Sequence, residues 1–341
     1  RWSLWREYLQ VLVDCPKDKL ASVEIHVPFV VRSIVQKHCL TFDIELQREE
    51  SDMQTQEVAT EAPKVELQII CCGNGGVNIA EWFSREITGK KLEGIHLVVA
   101  DTDRAKLSAR FGDLSKEKNY ITILPLEKSE GFGAGGVPEV GAEAAEDIKS
   151  TLENMADALG KTHGVLFLIG CLGGGTTGAL PVIARIFRDK GVPVLIVSTM
   201  PFAFEGPVKT DKAGRVRKEL LSLVPGIIVF NENIVDLESD DLEQTFDQVN
   251  THSLQPMLHA LLRIFQKTGS IINIDRADLV QLLNSGKNIY FGFFQAEKDS
   301  EVKIETEKVV EALLGNPHQN SELVASSRTG IFWFEEGWPT K

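Results

Sequence analysis

The stretch GCLGGGTTGALPVIA, residues 170–184, decides how this chain is read. It leaves a continuous apolar run, GVLFLIG (164–170), and enters an apolar-periodic segment, ALPVIARIFRDKG (179–191), with Pro181 early in it. A buried strand, a glycine-rich turn and a helix start together make a place for an anion. Glycines let the backbone approach a phosphate chain and turn several N–H groups inward, and the helix start adds partial positive charge. On this reading Gly173, Gly174, Gly175 and Gly178 supply backbone, while Thr176 and Thr177 donate hydroxyl hydrogen bonds to phosphate oxygens. The bland reading is a glycine turn without a ligand. It is the weaker of the two, because further glycine loops follow other strands. The segment has no GK[ST], so an ordinary P-loop is excluded.

Outward from this segment the same strand, loop, helix pattern repeats. VELQIICC (65–72) runs into GNGG (73–76) and the helical NIAEWFSREI (78–87), and HLVVADTD (96–103) is a strand ending in acids. YITILPL (120–126) precedes EGFGAGGVPEVG (130–141) and one helix over AEAAEDIKSTLENMADAL (142–159). PVLIVSTMPF (193–202) and GIIVFNEN (226–233) are two further strands. Apolar strands alternating with amphipathic helices predict an α/β fold with a doubly wound parallel sheet covered on both faces. A long helical stretch follows (240–269), bent near Pro256, then INIDRADLVQLL (272–283) and a strand, helix, strand series at 288–294, 301–315 and 330–336.

With 341 residues the chain can form two domains. Its net charge of −13 argues against direct affinity for nucleic acid or anionic lipid. The five cysteines are odd in number and show no metal-ligand spacing; Cys71 and Cys72 read as small core residues, and a reducing cytoplasm fits best. His163, His252 and His259 are scattered, so no metal site is expected. No run approaches ~20 apolar residues, so no membrane span is expected, nor is there a secretory signal. The start at Arg1 suggests a fragment or processed form.

The string at 170–184 resembles the signature of the tubulin/FtsZ superfamily, with Gly173, Gly174, Thr177, Gly178, Ala179 and Pro181 in register. Similar loops follow in that family's order over about residues 65–335. The resemblance makes Gly73, Asn74 and Gly75 a first phosphate loop, with Asn78 toward the base, and places Asp103 of ADTD in the second. Ala134, Gly135 and Gly136 fall in the loop that senses the γ-phosphate. Glu205 would bind the ribose, Lys209 stands where the family has Arg, and Phe246 and Asn250 would stack on and read guanine. Departures are Asn74 for a glycine, Asp101 for an asparagine, Val137 for an asparagine, and the inverted order Gly175–Thr176. A further base-contacting asparagine is either Asn231 or Asn233.

In NIDRAD (273–278), Asp275 and Asp278 stand three apart at a helix start. Helix capping explains such acids by itself. The resemblance instead makes Asn273, Asp275 and Asp278 an acidic loop that enters a neighbouring subunit's site and activates water. It therefore implies a GTPase with GTP or GDP as ligand, Mg²⁺ beside the phosphates, head-to-tail homopolymers, and membrane attachment, if any, through an adaptor. Two alternatives stay open. One is a nucleotide-bound scaffold without turnover; the other is a dinucleotide-dependent oxidoreductase, since Gly73, Gly75 and Asn78 with Asp101 and Asp103 downstream partly imitate a Rossmann fingerprint.

The expected organisation is a nucleotide-binding domain over 64–250 and a smaller α+β activation domain over 251–341. The second lacks a helix and two strands of the family's order. Residues 1–48 read as helix, strand (23–31) and strand (39–47), and 49–63 as an acidic linker. This suggests a circular permutation in which 1–48 complete the second domain; the rival is an unrelated extension beside a truncated domain.

Overall fold

A strand buried on both faces has no polar side to show, so it needs a helical layer above and below. The computed structural model describes residues 24–25, 67–88, 94–117, 120–231, 242–250, 254–265, 276–285, 288–289 and 329–330. In β2 (Leu67–Cys72), Leu67, Ile69 and Cys71 belong to one buried cluster and Ile70 and Cys72 to another. That alternation is the period of a strand. β3 (Ile95–Asp101), β4 (Ile121–Pro125), β5 (Val165–Cys171), β6 (Val194–Met200) and β7 (Gly226–Phe230) share the sheet. Its six strands run in the order β4–β3–β2–β5–β6–β7, every pair parallel.

One face carries α3 (Pro138–Asp147), α4 (Lys149–Lys161), α5 (Ala179–Asp189) and α6 (Pro207–Leu223). Ala144, Leu152, Phe187 and Leu220 lie in its core. The other face carries α1 (Gly73–Thr88), α2 (Arg104–Glu117), α8 (Gln255–Phe265) and α9 (Arg276–Ser285), with Phe83, Phe111, Leu258 and Leu283 in the core. α7 (Leu242–Val249) precedes α8, and Val249 packs against Phe202. The α/β fold expected from the strand pattern is thus the one observed.

Local differences have local causes. The single helix read over 142–159 is two helices, broken at Ile148 (φ −104°, ψ 22°). The break keeps Ala144, Ala145 and Leu152 on one core while Ile148 itself packs partly buried against it. α3 begins at Pro138, where a missing N–H costs nothing because the first turn has no partner for it. Pro256 is the second residue of α8 and sits in its first turn; residues 251–253, between α7 and α8, lie outside the described residues. The short strands β1 (Glu24–Ile25) and β8 (Thr329–Gly330) pair in parallel, Glu24 opposite Thr329 and Ile25 opposite Gly330. The helix read near the start, the strand at 39–47, the linker 49–63, the segment 301–315, and Asn233, Asn273, Asp275, Cys15, Cys39 and His252 lie outside the described residues. No described helix is long and apolar enough to cross a membrane.

Cys71 and Cys72 are fully buried free thiols, and burial is the main cause that pushes both far above a thiol's ordinary range. A raised pKa leaves less thiolate, the reactive form. Iodoacetamide at pH 8 is therefore expected to leave both unmodified in the folded chain and to label both in denaturant, as read by peptide mass spectrometry.

Candidate functional site

From β2 the sheet grows one way through β3 and β4, and from β5 the other way through β6 and β7. At such a reversal the connections leave on opposite faces and open a crevice at the carboxyl ends of the strands. Two glycine-rich segments start at this crevice: 73–76 after β2, the first loop, which the structure places in the first turn of α1 rather than in a separate loop, and 172–178 after β5.

The second of these is set by backbone packing. Gly173 holds φ at +96°, and a Cβ there would meet the Lys209 side chain at 2.7 Å. A Cβ on Gly178 would stand 1.7 Å from the Pro138 carbonyl oxygen. Gly174 differs, since a Cβ there would meet nothing within 4 Å. It faces the open crevice. The turn at Thr176–Gly178 therefore lies on the start of α3 with no side chain between them, while Gly174 offers bare backbone to a ligand.

The threonines tie loops together. The Thr176 hydroxyl donates to Asp101 Oδ1 at 2.8 Å and lies 2.8 Å from Thr102 Oγ1. The Thr177 hydroxyl donates to the Gly174 carbonyl at 2.6 Å. A hydroxyl carries one proton, so both protons expected on phosphate are used inside the protein here, and donation in this arrangement falls to backbone N–H groups. Asp101, 5% exposed, faces Lys106 Nζ at 3.4 Å through its other oxygen. Lys106 also donates to Asn74 Oδ1 in the first loop.

The third loop joins the same network. The Gly133 N–H donates to the Thr102 carbonyl at 3.1 Å, and Asp103 bridges Phe132. Lys212 Nζ donates to the Gly136 carbonyl at 2.6 Å. Gly135 and Gly136 have φ of +56° and +72°, with open space beside each. On the far side, Glu205 Oε1 accepts the Phe202 N–H at 2.9 Å and Oε2 accepts Lys209 Nζ. Each carboxylate oxygen keeps capacity for a further hydroxyl. Beneath the first loop, Cys171 Sγ would lie 2.1 Å from a Cβ on Gly75. Burial raises that thiol, against opposing pulls from Thr199 and Lys209.

Phe246 is 40% exposed and meets Phe202 and Phe204 edge-on, at 5.4 and 6.3 Å between centroids. Asn250 follows at the end of the same helix, half-buried. Asn231 is 5% exposed, and its Oδ1 has no hydrogen-bond partner among the described residues. Asn78 accepts from Arg110 Nη1 at 2.8 Å on the exposed side of α1. Asp278 lies in the first turn of α9. Leu279 and Leu283 of that helix enter the core of the α1 face. The Ile289 N–H then donates to the Gly226 carbonyl, at the amino end of β7 and opposite the crevice.

Comparison with known proteins settles the family. A family model described as "Tubulin/FtsZ family, GTPase domain" matches residues 66–239, about half of the chain. The chain belongs to the Tubulin/FtsZ family. It is 32% identical over 249 residues to the cell division protein FtsZ of Aquifex aeolicus (strain VF5), covering 72% of this chain and 63% of that protein. To the Bartonella bacilliformis FtsZ it is 31% identical over 263 residues, covering 74% and 40%. Among solved structures, an empty FtsZ dimer from M. jannaschii aligns with a TM-score of 0.62 at 27% identity, covering 75% of this chain and 69% of that one. The chain thus spans less than two thirds of the length of these curated relatives. The family match contains every loop of the crevice; Phe246, Asn250 and Asp278 lie beyond it.

Sequence reasoning passed over Lys106, Lys212 and Thr102. Lys212 could have been suspected, as it stands three residues after Lys209 on the helix that follows the Glu205 loop. Lys106 had only its place in the first turn after an acidic strand end.

The glycines predict a sharp contrast. Gly178→Ala forces a methyl into the Pro138 carbonyl and is expected to cost about 1–3 kcal/mol or more. Gly174→Val points into open crevice, so it should melt like the parent yet fail to retain a nucleoside triphosphate. Thermal melts and filter binding on both variants check this.

Proposed function

We propose that this chain binds GTP in the crevice, assembles head to tail and hydrolyses GTP at the junction between subunits. The observation that carries the reading is the convergence of loops from β2, β3, β5 and β6, with the third glycine loop, at one strand-order reversal. The family is that of a GTPase domain. Bare backbone at Gly174 and in the third loop would receive the phosphates, Glu205 the ribose, and Phe246 with Asn250 the base.

Assembly is supported by surface apolar groups beside the crevice. Phe132 (84% exposed), Val137, Phe204 and Val208 all sit in loops or helix starts that rim it. Asp278 belongs to a helix whose chain leads to the opposite end of the sheet. In this proposal a subunit stacked on the rim brings its own acids to a neighbour's phosphates. Head-to-tail contacts propagate into a filament unless their rotation closes a ring, and a filament is the product proposed here. Hydrolysis then depends on positioning water and spreading charge.

Among the described residues no group of three or more His, Cys, Asp or Glu is arranged to hold a metal. Asp101 is already engaged by Thr176 and Lys106. A Mg²⁺ ion would thus take its ligands from phosphate oxygens and water, where it offsets phosphate charge.

Phosphate release against protein concentration tests the reading. A threshold followed by a steep rise is expected, because the site needs two subunits. Release proportional to concentration would contradict it, and nucleotide-dependent pelleting without release would favour a scaffold. Asp278→Ala should bind GTP as the parent does and lose hydrolysis; lost binding would place the acid in its own subunit's pocket.

We further propose that residues 1–48 complete the second domain by circular permutation, with 49–63 as the joining linker. The parallel pairing of Glu24–Ile25 with Thr329–Gly330 supports it. Cysteines placed at 24 and 329 should cross-link within one chain through a short bismaleimide. Cross-links only between chains would argue for the rival extension.

A further inference from the structure

The crevice holds a cation that the loop pattern did not announce. Lys106 stands on the first turn of α2, and its ammonium reaches both Asn74 Oδ1 in the first loop and Asp101 Oδ2 at the end of β3. Asp101 is fixed from behind by the Thr176 hydroxyl of the second glycine-rich loop. Three segments far apart in sequence thus meet around the Asp101–Lys106 pair. Its surroundings differ from those of Lys128 and Lys190, which pair with carboxylates on the exterior. Lys209 is engaged by Glu205, and Lys212 by a backbone carbonyl.

A buried carboxylate beside a polyphosphate is repulsive unless a cation stands between them. Lys106 bridges the buried Asp101 carboxylate and the first glycine-rich segment, and one of its acceptors, the Asn74 amide oxygen, is neutral. An anionic phosphate oxygen is the stronger acceptor for an ammonium. We propose that Lys106 is a phosphate-binding residue of this crevice. On nucleotide binding its ammonium exchanges Asn74 for an oxygen of the β- or γ-phosphate, while Asp101 keeps it aimed into the site. The assignment rests on the GTP-binding reading above and adds a residue that sets discrimination by phosphate number. Its charge acts on the phosphate end, so GTP and GDP gain from it while GMP gains little.

The test uses the full chain and three variants. Lys106→Met keeps the aliphatic stem and removes the charge, Lys106→Arg keeps the charge, and Lys106→Met with Asp101→Asn removes both charges. Affinities for GTP, GDP and GMP are measured by calorimetry after melting curves establish folding. Lys106→Met is expected to weaken GTP about tenfold or more and GMP less than about threefold, with most of the loss recovered by Lys106→Arg. The double variant should stay weak for GTP. Recovery in the double variant would mean that Lys106 only cancels Asp101, and the direct contact would be overturned. If Lys106→Met binds all three nucleotides as the parent does, this assignment alone falls. If the parent binds no guanine nucleotide, the function proposed above falls and takes this assignment with it.

Discussion

The turn after β5 lies directly on the first residues of α3, backbone against backbone. No side chain larger than hydrogen fits at Gly178, where the Pro138 carbonyl occupies the space a methyl would need. Gly175 is equally confined, 2.5 Å from the Ala134 methyl if it carried a Cβ. This contact fixes the third loop relative to the second glycine-rich loop, and so fixes the shape of the crevice. The hydrogen bond from Thr176 to Asp101 then ties β3 to the same turn. The arrangement follows from close packing before any ligand is considered.

Charge is managed locally in a chain that is acidic overall. The carboxylates of Asp101 and Glu205 each have a lysine partner, Lys106 and Lys209. A third lysine, Lys212, steadies the third loop through a carbonyl. The net charge of −13 therefore says little about the potential inside the crevice. Long-range repulsion from the acidic exterior is screened within about 8–10 Å at physiological salt, whereas these lysines act at contact distance.

The strands were readable because burial on both faces leaves an uninterrupted apolar run, as in GVLFLIG and PVLIVSTMPF. Glycine-rich turns after such runs located the crevice for the same reason: chain reversal and close approach leave few residue choices. α2 escaped notice because many charged residues surround Leu107 and Phe111, the two of its described side chains that lie in the core. The break at Ile148 was hidden because both halves keep a helical period, and only the shape of the core divides them. The hydroxyl directions of Thr176 and Thr177 could not be read either. The carboxylate that receives the Thr176 proton lies 75 residues away in sequence. Lys106 is a similar case, since its role depends on three segments meeting in space.

The crevice is built on unequal materials. β2 and β5 are the middle strands of the sheet, with ladders on both sides and buried helices above and below. The third loop has glycines of positive φ at 133, 135 and 136, and a Cβ on any of them would meet nothing within 4 Å. A floor of central strands is thus set beside a wall pinned at Gly133 and Gly136 by single hydrogen bonds. On the proposed reading, the terminal phosphate lies against this wall, so its loss removes a contact there. That wall also carries Phe132, the most exposed aromatic side chain among the described residues, so on that reading the element beside the terminal phosphate is also one that a neighbouring molecule would touch.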